Sequence, residues 1–343
     1  MYTESPLHRS AFLSGRCICQ WTLLTIMVAL RPIAAVAQSS SDAGDPAGPD
    51  SAWRISGFGT AGAVHVDTDQ PWLLARDVTQ PGASSATSVL VDSRVGMQLN
   101  WQINPQWEAV AQAVFKERTG GADADESLEL GFVAYSPSPR WTLRLGRVKP
   151  DLFLLADVRS VGYAMPWVRP NVEFYGWIPG ASLNGLNAAY QWQRGSTDWV
   201  ARLWAGELRS SVSALRTDSR VLWKGRDSIA FTLTGKTGAL TMKASYLQSR
   251  TDLGSDSDLM QLEQTLLGLA TLPATQVAAD ARSLYKGLIP QGRTRYAGLG
   301  AEYDTGRWLV AAEASRVWVH RGLAGGTRGY VSLGHRWGVL TGF

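Results

Sequence analysis

From Arg94 to Ile103 the chain alternates without a fault: Val95, Met97, Leu99, Trp101 and Ile103 fall on one side, and Arg94, Gly96, Gln98, Asn100 and Gln102 on the other. A period of two puts successive side chains on opposite faces of a β-strand. The pattern recurs downstream, where Leu240, Met242, Ala244 and Tyr246 alternate with Thr241, Lys243 and Ser245, and where Leu128, Leu130, Phe132 and Ala134 alternate with Glu129, Gly131, Val133 and Tyr135. The first set in each series is expected to face lipid. Past the N-terminus no apolar run approaches the ~20 residues of a membrane helix. The predicted fold class is therefore all-β, a transmembrane antiparallel β-barrel with about 12 strands.

Strands are expected at 53–66, then in pairs at 89–103 with 106–117, 127–136 with 140–148, 183–193 with 197–207, 221–234 with 238–249, and 294–304 with 307–319, with a last strand from Tyr330. The connections within pairs are short and rich in Pro, Gly, Ser and Asp, which favour turns. Those between pairs are long, about 149–181 and 250–292 being the longest. Short turns at one rim and long loops at the other are the asymmetry of an outer-membrane barrel. Trp101, Trp107, Trp141, Trp199 and Trp308 all sit near short turns, as an aromatic girdle on the periplasmic side requires. The segment 259–288 has helix-like spacing around Pro273 and is expected to be a partly helical external loop or, alternatively, a plug in the lumen.

The N-terminus carries His8, Arg9 and Arg16, an apolar stretch from Trp21 to Leu30, and Ala35-Val36-Ala37 before Gln38, which fits a secretory signal over 1–37. Cys17 and Cys19 both lie within it, so cleavage removes every thiol and with it any disulfide or cysteine metal site. Cleavage also removes three Arg and one Glu, leaving 30 basic against 28 acidic residues. That near balance gives no reason to expect nucleic acid as a partner. Residues 38–52 are small, polar and Pro/Gly-rich, and read as a flexible tether ahead of a barrel over 53–343.

Catalytic motifs are not found. His65, His320 and His335 are scattered over the chain with no His-x-x-x-His pair, and there is no Gly-x-Ser-x-Gly elbow. No enzyme activity, metal or cofactor is expected. Gly57, Gly59 and Gly62 mimic a dinucleotide fingerprint, but no helix follows, so they are read as easing strand packing.

Two stretches carry a more specific signal: Leu143-Arg144-Leu145-Gly146-Arg147, and the loop sequence Val-Gly-Tyr-Ala-Met-Pro-Trp-Val-Arg-Pro at 161–170. With Ile55-Ser-Gly-Phe-Gly-Thr and Asp92-Ser-Arg-Val-Gly-Met-Gln-Leu-Asn, they resemble the Gram-negative outer-membrane porins, closest to a group of proteobacterial porins. The resemblance implies an outer-membrane barrel for passive diffusion of small hydrophilic solutes or ions, with loop 149–181 folded inward to narrow the passage. It also implies contact with lipid and lipopolysaccharide, delivery by the outer-membrane assembly machinery, and a homotrimer. Carried onto this sequence, Arg144 and Arg147 become wall residues, with Asp157, Arg159, Arg169 and Glu173 as loop residues at the constriction. Each arginine has a competing reading as a structural ion pair or a rim contact to lipopolysaccharide. Such porins have sixteen strands. The smaller count here, with Thr341 where an aromatic is usual before the terminal Phe343, points to a C-terminally truncated member. The competing functional reading is a plugged or truncated, non-conducting barrel with a structural or adhesin-like role.

Overall fold

A computed structural model describes residues 52–67, 75–213 except 84, 120, 122, 168 and 177–181, then 220–254, 257–273, 276–288, 291–319 and 325–343 except 339. The expected signal segment 1–37 and the tether, apart from Ala52, lie outside the described residues. The elements run β1 (Trp53–Thr60), β2 (Val64–His65), β3 (Thr87–Ser88), β4 (Arg94–Asn104), β5 (Trp107–Lys116), α1 (Ala124–Ser127), β6 (Leu128–Ser138), β7 (Trp141–Val148), β8 (Ser182–Arg194) and β9 (Thr197–Ser213). They continue with β10 (Arg220–Thr237), β11 (Leu240–Gly254), α2 (Ser257–Ala270), α3 (Gln276–Leu288), β12 (Gln291–Asp304), β13 (Trp308–Val319), β14 (Gly326–Trp337) and β15 (Leu340–Gly342).

Thirteen strands form one antiparallel sheet in the order β1-β4-β5-β6-β7-β8-β9-β10-β11-β12-β13-β14-β15, while β2 and β3 pair separately. Apart from the β2–β3 excursion this is a simple meander, so every neighbour in sequence is a neighbour in space. The thirteenth strand differs from the expectation of a single last strand. Gly338, at φ 61°, takes a left-handed turn that residues with a Cβ avoid, and the chain doubles back so that Leu340–Gly342 pairs with His335–Trp337. Phe343 therefore does not continue the strand that holds Trp337.

The sheet is rolled. β1 and β14 stand first and twelfth in order, which is about 50 Å apart at ~4.8 Å per strand if flat. Yet Gly162 lies against Thr60 of β1, so close that a Cβ on it would sit 2.5 Å from the threonine Oγ1, while the Trp167 indole donates to Ser332 Oγ of β14 at 3.0 Å. The five residue steps from Gly162 to Trp167 span at most about 18 Å. Rolling is not closure: among the described residues no ladder joins β1 to β14 or β15, so the expected closed barrel is here an open-seamed one.

Side-chain exposure is inverted relative to a water-soluble protein. Val95, Met97, Phe115, Leu145, Leu186, Ile229, Leu299, Val331 and Leu333 point outward, with Leu145 at 64% and Val331 at 80% exposure, whereas Arg94, Asn100, Glu129, Asn187, Lys243, Ser245 and Glu313 face inward and are buried. One expected face is corrected. In β6 only Leu128 of the predicted lipid-facing set points out, because the β5–β6 register slips between Gln112 and Ala113, pairing them with Leu130 and Leu128. Beyond that slip the parity flips, so Val133 is outward and exposed while Ala134 is buried inward and Phe132 packs on the interior cluster. The apolar character of both faces of this strand concealed the change.

The segment 259–288 forms α2 and α3, which pack on each other through Leu266, Ala278 and Ala281 and are tied by the Arg282 guanidinium donating to Ala270 O. They make little contact with the sheet among the described residues, which matches an external loop rather than a plug. Neither is long and apolar enough to cross a membrane.

Candidate functional site

The loop that follows β7 crosses the concave face of the sheet and returns. Lys149 at its start pairs with Glu129 on β6. Asp151, 2% exposed, then reaches three strands at once: it accepts from Arg202 of β9, from Thr232 Oγ1 of β10 at 2.9 Å and from Lys243 Nζ of β11 at 3.1 Å. Lys243 also donates to the Asp151 and Phe153 carbonyls, at 3.0 and 2.9 Å. The Leu154 amide donates to Glu313 Oε2 of β13 at 2.9 Å. On the return path Ser160 donates to Glu129 at 2.8 Å, and Tyr175 donates to Glu313, which Tyr330 of β14 also meets at 2.7 Å.

Beneath this strap lies an apolar cluster of Leu152, Phe153, Phe174, Tyr175, Trp204, Trp223 and Tyr296. Phe153 meets Phe174 and Tyr296 edge-on, with centroids 5.5 and 5.7 Å apart. The loop is thus fixed against β8–β14 by packing and buried charge together. A buried carboxylate needs partners on this scale, since leaving one uncompensated costs several kcal/mol. Burial also pushes the Tyr175 hydroxyl upward, with the Glu313 carboxylate adding to the shift, so Tyr175 serves as a donor throughout the ordinary pH range.

On the other side of the loop the inner wall is polar. Gln98, Asn100, Glu108 and Gln112 of β4 and β5 form an amide chain, with Gln112 donating to Gln98, Gln98 to Asn100 and Asn100 to Glu108, each at 2.8 Å. Arg144 of β7 faces the same space, donating to Asn187 Oδ1 at 3.1 Å and lying 5.5 Å from the Phe132 ring centroid. Asp157 opens onto this space from the loop, and Arg144, Arg202 and Lys243 all act on it electrostatically. The protein packed around it and the Asp151 carboxylate push its pKa upward, against the pull of those three cations.

The six expected constriction residues therefore divide. Arg144 and Asp157 face the same polar space and act on each other electrostatically. Arg147 does not join them: its register partners Gly131 and Asn184 belong to the outward parity, and it pairs with Asp125 of α1 at 2.7 Å while donating to Asn184 at 2.9 Å. The cause is alternation itself: three residues separate Arg147 from Arg144, the register runs unbroken through Gly146, and the two arginines fall on opposite faces of β7. Arg159 and Arg169 anchor the loop. Arg159 pairs with Asp77 at 3.4 Å, and Arg169 grips Asp92 with bonds of 3.0, 3.0 and 2.6 Å, where Arg76 also reaches the carboxylate at 3.3 Å. Burial would raise the Asp77 carboxyl, but Lys116, Arg159 and the hydrogen bonds from Thr79 hold it well below the usual range. Glu173 is exposed at the loop surface.

Sequence reasoning passed over Asp151, Arg202, Lys243, Glu108 and Asn187. For the four on strands the signal was the inward parity of polar residues set between apolar neighbours, as with Lys243 between Met242 and Ala244; Asp151 lies in the loop and carried none. Among the described residues no cluster of His, Cys, Asp and Glu is placed to hold a metal.

The outward face carries an aromatic row at the short-turn end. Trp101 stacks on Trp53 and Trp107 on Tyr135, both at 4.6 Å; Trp141 meets Tyr190 at 4.7 Å; Trp192 stacks on Trp199 at 6.2 Å; Trp308 meets His335 at 4.4 Å. The fold is an inside-out antiparallel β-sheet. No family model and no curated protein matches the chain. Solved structures it is similar to include OmpF of Salmonella typhi in complex with daunomycin, with 12% identity over 83% of this chain and 75% of that one and a TM-score of 0.46. The outer membrane channel DcaP of Acinetobacter baumannii has 12% identity over 84% and 75%, with a TM-score of 0.42, and OccK8 (OprE) of Pseudomonas aeruginosa has 13% over 82% and 68%, with 0.34.

Proposed function

We propose that the chain is a Gram-negative outer-membrane porin that lets small hydrophilic solutes or ions diffuse through the space between the inward loop and the inner wall of β4–β8, with no catalytic step. The observation that carries this reading is the combination of an apolar outward face with a polar, charged inward one, narrowed by a loop fixed across it. An inward polar wall and an outward apolar band edged by aromatic side chains are what a barrel in lipid requires. Arg144 and Asp157 are the charged pair at the passage, where fixed charges in a confined aqueous path set ion preference.

A second reading, a non-conducting structural or adhesin-like barrel, draws on the open seam. Unpaired edge groups are costly in lipid, so a rolled sheet that fails to close conducts poorly or not at all. Single-channel recording of the refolded chain from Gln38 in planar bilayers separates the two, with heat-modifiable gel mobility as the folding control. Stable ohmic steps support the porin. A folded chain without steps supports the structural barrel.

A further inference from the structure

At the long-loop end the strands step down from β9 to β7. β9 continues to Ser213, but β8 starts only at Ser182, opposite Arg209, and β7 stops at Val148, opposite Leu183. Beyond Arg209 the β8-facing edge of β9 has no strand to bond, and its amides are satisfied from elsewhere. Ser211 N donates to Glu126 Oε1 of α1 at 3.0 Å, and Ser213 N to the Val78 carbonyl at 2.7 Å. α1 and the segment 76–80 thus fill the notch above β6–β8. What they leave open is a cavity of about 260 Å³ between them and the ends of β5–β10.

Positive charge prevails in this cavity. Lys116, Arg118, Arg147, Arg209 and Lys224 line it, against the carboxylates of Asp125, Glu126 and Glu129. All three carboxylates are engaged: Asp125 pairs with Arg147 at 2.7 Å, Glu126 accepts the Ser211 amide, and Glu129 is shared among Lys149, Arg118 at 3.5 Å and Lys116 at 3.9 Å. Two cations remain without a firm counter-charge. Lys224 has no ion pair among the described residues, and Arg209 meets Glu207 at 3.2 Å with both side chains about half exposed, where a pair contributes little. Arg209 and Lys224 stand directly opposite each other on β9 and β10. Side chains so placed are about 5 Å apart, and like charges there repel until something neutralises them. Asn184 commits its carbonyl oxygen to Arg147 at 2.9 Å, which leaves its amide nitrogen as a further donor in the lining.

Height and volume decide what can occupy the site. Twelve residues separate Arg209 from Thr197 at the short turn. That is about 40 Å along the strand and roughly 30 Å of height at a tilt near 40°, above an apolar band about 25 Å tall. The outward face of β9 agrees, with Leu203 and Ala205 below and Glu207 and Arg209 above, all exposed. The side of the cavity formed by Arg209 and Lys224 therefore meets water. Its volume falls below the ~300–1,000 Å³ of pockets that hold drug-sized ligands, so its occupant is small. An ammonium supplies a point charge and a guanidinium a fork of donors, and both suit anionic oxygens.

We propose that this cavity binds a small, free, multivalent oxyanion, held by the Lys224 ammonium, the Arg209 fork and the Asn184 amide. The placement rests on the membrane-spanning reading, but binding does not require conduction. The folded full chain in uncharged detergent is titrated with inorganic pyrophosphate and with acetate at matched ionic strength, and binding is read by calorimetry. The wild type is expected to bind pyrophosphate at one saturable site at least about tenfold more tightly than acetate, the effect of one charge-assisted hydrogen bond. R209Q/K224Q should lose that advantage, while R250Q/R293Q, which removes the same charge from exposed positions on β11 and β12, keeps it. The single variants R209Q and K224Q carry the same test should the double variant not fold. No saturable binding by the folded wild type, unchanged affinity in R209Q/K224Q, or an equal loss in R250Q/R293Q overturns the site. Heat-modifiable mobility reports folding of each sample. Single-channel recording without pyrophosphate tests the porin reading apart from the site: intact binding with no conductance steps would sink that reading and leave the oxyanion site standing.

Discussion

Replacing Asp151 by Ala removes the one group that ties the loop to β9, β10 and β11 together. Three donors lose a partner, but unequally. Lys243 keeps the carbonyls of residues 151 and 153, and Thr232 is a neutral hydroxyl, whereas Arg202 loses the carboxylate that neutralises it. Breaking a buried pair from one side costs about 3–5 kcal/mol. The retained acceptors of Lys243 and the partial access of Arg202 to the lumen put the expectation at the lower end, about 3 kcal/mol against the docked loop. That corresponds to a factor of about 100 or more in the docking equilibrium. The reporter is the Leu154 amide, which donates to Glu313 only while the loop is docked. Hydrogen exchange of the refolded variant, checked for heat-modifiable mobility, should show its protection reduced by about that factor, with the amides of β4 and β5 unaffected. A loss of less than threefold would refute the view that buried charge, rather than the Phe153–Phe174–Tyr296 packing, holds the strap in place.

Charge reversal separates the two wall arginines: Arg144→Glu should move the reversal potential in a salt gradient toward cations, and Arg147→Glu should leave it unchanged while lowering refolding yield through loss of the Asp125 pair. Because the Asp157 carboxyl is pushed above its ordinary value, it takes up a proton before an exposed aspartate does as pH falls. Its negative charge beside Arg144 and Arg202 is lost first, so selectivity should drift toward anions on mild acidification, and Asp157→Asn should abolish that drift in the same recordings. Gly146→Ala forces a Cβ against Gly131 O at a φ that non-glycine residues avoid, and should cost at least about 1–3 kcal/mol, read as a lower urea midpoint in lipid vesicles. Trp167→Phe removes the bond to Ser332 but keeps an aromatic ring against Tyr330, and is expected to cost about 1 kcal/mol in the same assay.

The sequence alone was enough for the class of the fold and for most of its outward face. Alternation is a local property, and in β4, and in β11 as far as Tyr246, it sorts outward from inward residues, because one face is apolar and the other polar. The short turns and long loops followed from turn chemistry, and the inward loop from a resemblance resting on residues 143–147 and 161–170. Where the local signal failed, it failed for lack of contrast or for lack of partners. β6 is apolar on both faces, so the slip opposite Gln112 left no trace in its pattern, and the left-handed glycine at 338 turns the chain back without altering composition. The charges of the loop could not be sorted locally at all. Whether Arg147, Arg159 or Arg169 faces the passage depends on where Asp125, Asp77 and Asp92 come to rest, tens of residues away. A strand's faces are decided by neighbours in sequence and a charge's role by neighbours in space; only the folded sheet set Asp151 against Arg202, Thr232 and Lys243.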